Sequence, residues 1–315
     1  MKPNRLDERE TPNFSADGSY IRYLAAKKSV DDRALNRTVW DCLGQQLRTR
    51  SGNGPLRILE LGAGIGTMIE RVVDWGLITG DTVYVAIDQE PAHLQAARQR
   101  LTAWAEQRGD RLVWESGEEG RLRLAQGELS LTLQATGAEE LAGQSGPTEF
   151  DLLIAHALLD LVDFRDLLPR LLPHLKAPGL LFLSCNFDGE TLFLPAWPGR
   201  DESLILKRYH ASMDARFTGA SRTGRHLLDY LCRTGLPVLA AGSSDWVVHP
   251  VAGQYPDDEA FFLEMMIATV AGELARAEPP AGLAAWSATR RQQIARGELI
   301  FLARHLDVLA MRQGL

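Results

Sequence analysis

Residues 56–75 leave few folds open to this chain. A short apolar run, Leu56 to Leu61, reads as a strand buried on both faces, and three glycines at alternate positions follow it: Gly62, Gly64 and Gly66. An amphipathic stretch from Ile65 to Trp75 then sets Met68, Ile69, Val72 and Val73 on one helical face. Strand, glycine turn and helix in succession point to a βαβ unit and a parallel sheet. Glycine lets the chain turn tightly and lets a ligand approach the peptide planes. The helix start offers unpaired N–H groups to a polar ligand.

The spacing narrows the ligand. The dinucleotide fingerprint is G-x-G-x-x-G with an acid about 20 residues on. Here the third glycine falls one place early, at Gly66, and Thr67 stands where the fingerprint needs glycine. The strand also carries Glu60, two residues before the first glycine, and a second strand, Thr82 to Asp88, ends in a carboxylate. The order Glu60, three glycines, helix, strand, Asp88 resembles the class I S-adenosylmethionine (SAM)-dependent methyltransferases. That resemblance covers residues 56–249. It implies a Rossmann-like α/β fold with a seven-stranded, mostly parallel sheet and helices on both faces. It also implies SAM as cofactor, with the glycine loop beside the methionine portion and sugar, and Asp88 accepting the ribose hydroxyls. The implied cofactor contacts are Glu60, Gly62, Ala63, Gly64, Gly66, Asp88 and Gln89, with Glu139 toward the adenine and His156 at the mouth.

Three domains are expected: an N-terminal arm and helical cover (1–54), the SAM-binding core (55–250) and a C-terminal helical extension (251–315). In the cover, helical spacing starts at Ser19, and Asp31 and Asp32 are expected to cap or start a second helix. Tyr20 and Arg33 are further candidate cofactor contacts. Ser51 to Pro55 is the expected linker into the core.

In the core, Pro91 to Arg108 reads as a helix. Arg111–Glu115 and Arg121–Ala125 read as an extra β-excursion before a core strand at Leu129–Ala135. Phe150–Ala155 and Gly179–Asn186 are the fourth and fifth strands, separated by a helix from Phe164 to Leu175. Residues 187–222 show no long regular period and are expected to form an insertion. A helix from Thr223 to Arg233 and an antiparallel pair at Pro237–Ala241 and Asp245–His249 then close the core. The extension is expected to hold a helix at Asp257–Ala277 and a long final helix at Ser287–Arg312.

Between Arg200 and His226 six cations (Arg200, Lys207, Arg208, Arg216, Arg222, Arg225) face three acids (Asp201, Glu202, Asp214), a local +3 in a chain of net charge −7. A polyanion binder carries an overall basic excess, so nucleic acid is not expected as substrate. A small substrate with a carboxylate or phosphate is. Ligands of open α/β sheets sit beyond the carboxyl ends of the strands. His156, directly after the fourth strand, is therefore the first candidate general base, with His210 and Tyr209 next. Candidate substrate contacts are Asp160, Tyr209, Arg216 and Arg222.

Three cysteines without metal or redox spacing, and no acid pattern for a metal, give the expectation of no metal and no disulfide framework. No apolar run approaches the ~20 residues of a membrane span. The first ten residues are polar and charged, so a cytoplasmic location is expected. The expected activity is O-methylation of a small metabolite, with a possible homodimer through the C-terminal helices. Two other classes stay open: a non-catalytic SAM-binding scaffold, and an NAD(P)-dependent oxidoreductase, which Thr67 disfavours.

Overall fold

The computed structural model describes residues 18–49, 54–144, 150–276 and 279–314. The expected N-terminal arm lies outside them except for Gly18, as do Ser51, Gly52 and Asn53 of the expected linker. Helix α1 (Ser19–Ala34) and helix α2 (Arg37–Arg48) precede the sheet. Asp31 and Asp32 lie inside α1 and cap nothing; Asn36 caps α2, its side chain accepting from the Val39 N–H. A short amide side chain does this well because it reaches back to an N–H the helix itself cannot satisfy.

The core continues as β1 (Leu56–Leu61), α3 (Thr67–Asp74), β2 (Thr82–Asp88), α4 (Pro91–Gln107), β3 (Leu112–Trp114), β4 (Glu119–Leu124), β5 (Gly127–Ala135), α5 (Ala138–Ala142), β6 (Phe150–His156) and α6 (Phe164–Leu171). Then follow β7 (Leu175–Leu194), α7 (Ser203–Asp214), α8 (Thr223–Arg233), β8 (Val238–Ser243), β9 (Trp246–Val248), α9 (Glu259–Ala275), α10 (Leu283–Ala295) and β10 (Ile300–Arg312). Helix α4 shows why the pattern folds this way: Pro91 opens its first turn, and Leu94, Ala97, Leu101 and Ala105 form its buried stripe.

The strand order is β3-β4-β5-β2-β1-β6-β7-β10-β8, with β9 paired to β10. Neighbours among β5, β2, β1, β6 and β7 pair in parallel, and β10 runs antiparallel between β7 and β8. The expected seven-stranded sheet is thus a mixed sheet of ten strands, because the β3–β4 excursion joins its edge as antiparallel strands and β9 adds to β10. The parallel order turns back between β1 and β6, which in such sheets is where a ligand crevice opens.

Three further expectations are corrected. The final helix stops at Ala295, and residues 300–312 form a strand buried inside the sheet, so the C-terminal part is not wholly helical. The stop is Gly297, with φ +63° and its N–H bonded to the Ile294 carbonyl. The segments at 237–241 and 245–249 do not pair with each other; β8 and β9 each pair with β10. The expected irregular insertion is largely regular: β7 runs on to Leu194 and α7 follows, with Ile205, Tyr209 and Met213 buried at spacing four. Those residues join Phe193, Phe262, Trp286 and Phe301 in a second apolar core beneath α9 and α10.

A Cβ on residue 297 would lie 1.9 Å from the Gly253 carbonyl oxygen. Gly297→Ala is therefore expected to cost about 2 kcal/mol or more, from the left-handed backbone and the clash together. Urea denaturation measures it, and a cost under about 0.5 kcal/mol would mean that the turn relaxes freely.

Candidate functional site

In such sheets ligands sit beyond the carboxyl ends of the parallel strands, here β1, β2, β5 and β6 and the level of Ser184 in β7. Gly62, Gly64 and Gly66 all have positive φ, at +66°, +53° and +79°, so the loop needs glycine at each. The Ala63 N–H donates to the Ile87 carbonyl and fixes the loop against β2. A Cβ on Gly64 would touch Leu24 of α1 at 3.4 Å, and one on Gly62 would press on Leu158 at 3.0 Å. The N-terminal cover therefore packs directly over the glycine loop.

Asp88 is buried beside it. One carboxylate oxygen accepts from the Gly64 N–H at 2.8 Å, and the other from the Glu90 N–H at 2.9 Å with His93 Nδ1 at 3.1 Å. Tyr20 stacks on the His93 ring, with centroids 5.3 Å apart. Gln89 and Glu139 are exposed at the adjoining strand ends, Glu139 in the first turn of α5. Next to them the buried Thr136 hydroxyl has no hydrogen-bond partner among the described residues, while its N–H donates to the Asp88 carbonyl. Glu60 is placed differently: its carboxyl is buried in the sheet layer, accepts from the Tyr84 hydroxyl at 2.8 Å, and is pushed up by burial to about 7.

At the end of β6 and beside Ser184 and Cys185 of β7 a buried polar cluster centres on Asp31. Its Oδ2 accepts from Lys27 Nζ at 2.6 Å and faces His156 Nε2 at 3.0 Å, and its Oδ1 accepts from the Trp246 indole at 3.0 Å. Arg71 binds Asp32 at 2.6 Å and approaches Asp31 to 3.7 Å. Burial alone would raise the Asp31 carboxyl, but Lys27, His156 and Arg71 outweigh it and hold it well below the usual carboxylate range. Burial lowers His156 to about 4, against the pull of Asp31. A neutral His156 facing a carboxylate must carry its proton on Nε2, so Nδ1 accepts from the Ser184 hydroxyl at 2.9 Å. Both ring nitrogens are engaged, so a base role would require the ring to leave one partner.

Ala157, just past β6, and Cys185, inside β7 directly after its last residue paired to β6, hold left-handed φ values of +51° and +58°. Strain of this kind in residues with a Cβ persists where packing over-determines it. Ligand-type atoms of Asp31, His156 and Cys185 lie within 4.8 Å of one another, and the Lys27 ammonium bonds the Asp31 carboxylate at 2.6 Å.

The substrate candidates divide. Asp160, just past β6, is raised by burial and lies within electrostatic reach of Arg216 and Lys27. Tyr209 is buried, pushed up to about 12 by burial, and within reach of Arg216 and Asp160. His210, its ring 5.8 Å from that of Tyr209, meets Thr191 at 3.1 Å and packs against Phe187, lowered by burial, and Arg222 is exposed. Arg33 is not at the crevice edge; it pairs with buried Glu259 of α9 at 2.5 Å. Lys27, Asp31, His93 and Thr136 were missed in the sequence. Only Lys27 and Asp31 left a trace, as an i,i+4 pair that reads like an ordinary surface pair on a helix.

Neither a protein-family model nor a curated protein matches this chain. Among solved structures it is similar to a putative methyltransferase from Bacillus halodurans C-125, with 14% identity over 86% of this chain and 99% of that one and a TM-score of 0.46. It is also similar to a putative sarcosine dimethylglycine methyltransferase from Galdieria sulphuraria (13% identity, 88% and 86% covered, TM-score 0.40). A third likeness is phosphoethanolamine N-methyltransferase 2 of Haemonchus contortus in complex with SAM (13% identity, 87% and 52% covered, TM-score 0.40). The chain spans about half the length of the Haemonchus enzyme. The likenesses are distant, and the function rests on the chain's own residues. Among the described residues no helix is long and apolar enough to cross a membrane.

Proposed function

We propose that this chain is a class I SAM-dependent methyltransferase acting on a small acceptor with an anionic group, in the cytoplasm. The observation that carries this reading is Asp88. Its carboxylate ends the second parallel strand beside the point where the sheet order turns back, and main-chain N–H groups of the glycine loop and the following turn hold it. A carboxylate offers about four lone-pair sites, so acceptor capacity remains for a hydroxyl.

The residues fit the cofactor. Gly62, Ala63, Gly64 and Gly66 would line its methionine portion and sugar, Asp88 would accept the ribose hydroxyls, and Gln89 and Glu139 would flank the adenine. The unpartnered Thr136 hydroxyl is a further polar group at that end. SAM supplies a methyl group on a positive sulfur, and the protein's share is positioning and exclusion of water.

Oxygen is the expected acceptor atom. His156 and His210 both have hydrogen-bond partners in the protein, and the Tyr209 phenol, raised to about 12, stays protonated and donates. An oxygen that is already ionised, such as a carboxylate, suits a site with no free base.

Calorimetric titration with SAM, S-adenosylhomocysteine, NADH and NADPH tests the reading. Binding of the first two alone supports it, and binding of a nicotinamide instead overturns it. Asp88→Ala is expected to weaken S-adenosylhomocysteine about 10- to 100-fold, the loss of one or two hydrogen bonds to a charged group. Unchanged affinity would remove the ribose assignment. A second reading, a non-catalytic relative, is favoured by one observation: Leu24 and Leu158 already pack on the open faces of Gly64 and Gly62. Absence of binding to all four ligands would support that one.

A further inference from the structure

The two oxygens of Asp88 already hold three donors. Oδ2 accepts from the Gly64 N–H at 2.8 Å, and Oδ1 accepts from the Glu90 N–H at 2.9 Å and faces His93 Nδ1 at 3.1 Å. An ionised carboxylate has no proton to give, so the ring nitrogen carries the one between them. Each carboxylate oxygen offers about two lone-pair positions. Oδ1 is therefore full, and Oδ2 has one position left.

The main chain alone orients this carboxylate, with one N–H from the glycine loop and one from the turn after β2. His93 instead takes up a position on Oδ1. It is the third residue of α4, after Pro91 and Ala92, where a polar side chain can reach back past the helix start. Tyr20 of α1 stacks on the ring with its plane 26° from parallel, so the N-terminal cover keeps the imidazole in place. The side chains of His93 and Asp88 are only 13% and 10% exposed, which shelters their bond from competing water.

To accept both hydroxyls of a ribose, Asp88 needs one free position on each oxygen. We propose that His93 is a positioning residue that competes with the cofactor ribose for Asp88. With the ring on Oδ1 the carboxylate accepts one hydroxyl, and the ring must release Oδ1 before it accepts both. The proposal rests on the methyltransferase reading and names a residue that sets how tightly that same site holds its cofactor.

Calorimetric titration with S-adenosylhomocysteine tests it in four variants. His93→Phe keeps an aromatic ring for Tyr20 and removes the competing donor, so it is expected to bind at least about fivefold tighter than the wild type. His93→Leu should show a similar gain and stands in if the phenylalanine variant does not fold. His93→Asn returns a donor near the Nδ1 position and should stay within about twofold of the wild type. In an Asp88→Ala background, with no carboxylate to compete for, His93→Phe should change nothing. Equal affinity in the wild type and the two apolar variants overturns the proposal. Weaker binding in those variants overturns it too, since the ring would then support Asp88, as does a gain that persists without Asp88. Each of those results leaves wild-type binding, and with it the cofactor reading, intact. Absence of binding to the wild type and to both apolar variants alike removes the cofactor reading and the proposal together.

Discussion

Asp31→Ala is expected to destabilise the protein by about 3–5 kcal/mol, the cost of stripping one partner from a buried charge cluster. Asp31 is 3% exposed and accepts from Lys27, His156 and Trp246, with Arg71 close by. Removing the carboxylate strands the Lys27 ammonium beneath α1 and leaves the His156 and Trp246 N–H groups without acceptors. The exposed pair Arg233–Asp229 is the control: Asp229→Ala should change stability by about 0.5 kcal/mol or less. Urea denaturation of both variants decides it, and equal small losses would mean that the Asp31 cluster contributes no more than a surface pair. The double variant Lys27→Met/Asp31→Asn should recover much of the loss, since it removes both charges together.

The same cluster sets an acid limit. His156 is lowered by burial from 6.5 to about 4, so folding favours its neutral form. That contribution is fully present above 6.5 and is lost as pH falls toward 4. Stability of the wild-type protein is expected to decline through that window, and His156→Gln to flatten the decline. An unchanged pH profile in the variant would assign the acid sensitivity to another group.

What the sequence disclosed follows the range of each interaction. The glycine loop, β1, β2, α4 and the apolar fourth strand were legible because each is set by a local pattern: alternate glycines, continuous β-type runs, a proline start with helical spacing. The final strand was not. Residues 287–312 read as one helix because Ile294, Leu299, Ile300, Leu302 and Leu306 mimic helical spacing, and the signal against it was a single glycine, Gly297. Strand β10 is chosen by its place between β7 and β8, a contact that local pattern cannot supply. The site divides the same way. Asp88 announced itself at a strand end, where main-chain N–H groups of the glycine loop and the next turn hold it. Asp31 looked like a helix start because a lone acid carries no mark of burial, and its role depends on β6, β7 and β9 meeting α1.

Glu60→Gln should make the protein more stable in alkaline solution, by about 3 kcal/mol near pH 8.5. The estimate is the rise from 4.5 to about 7, some 2.5 units, at about 1.36 kcal/mol each. Burial disfavours the ionised carboxyl, and the bond from the Tyr84 hydroxyl offsets that only in part. The folded-state value is raised, so the wild-type protein has this contribution in full below 4.5 and loses it as pH rises through about 7. A glutamine keeps an oxygen for the Tyr84 hydroxyl and never ionises, so the gain should be absent below pH 4.5, grow between 4.5 and about 7, and level off above that. Urea denaturation at both ends of that range measures the difference, and a difference independent of pH would mean that Glu60 carries no burial cost. The same variant weighs two roles for the residue. As a buried partner of Tyr84, Glu60 can lose its charge without affecting S-adenosylhomocysteine binding. As the cofactor contact implied by the motif, it cannot, and affinity would fall at every pH while stability changed little.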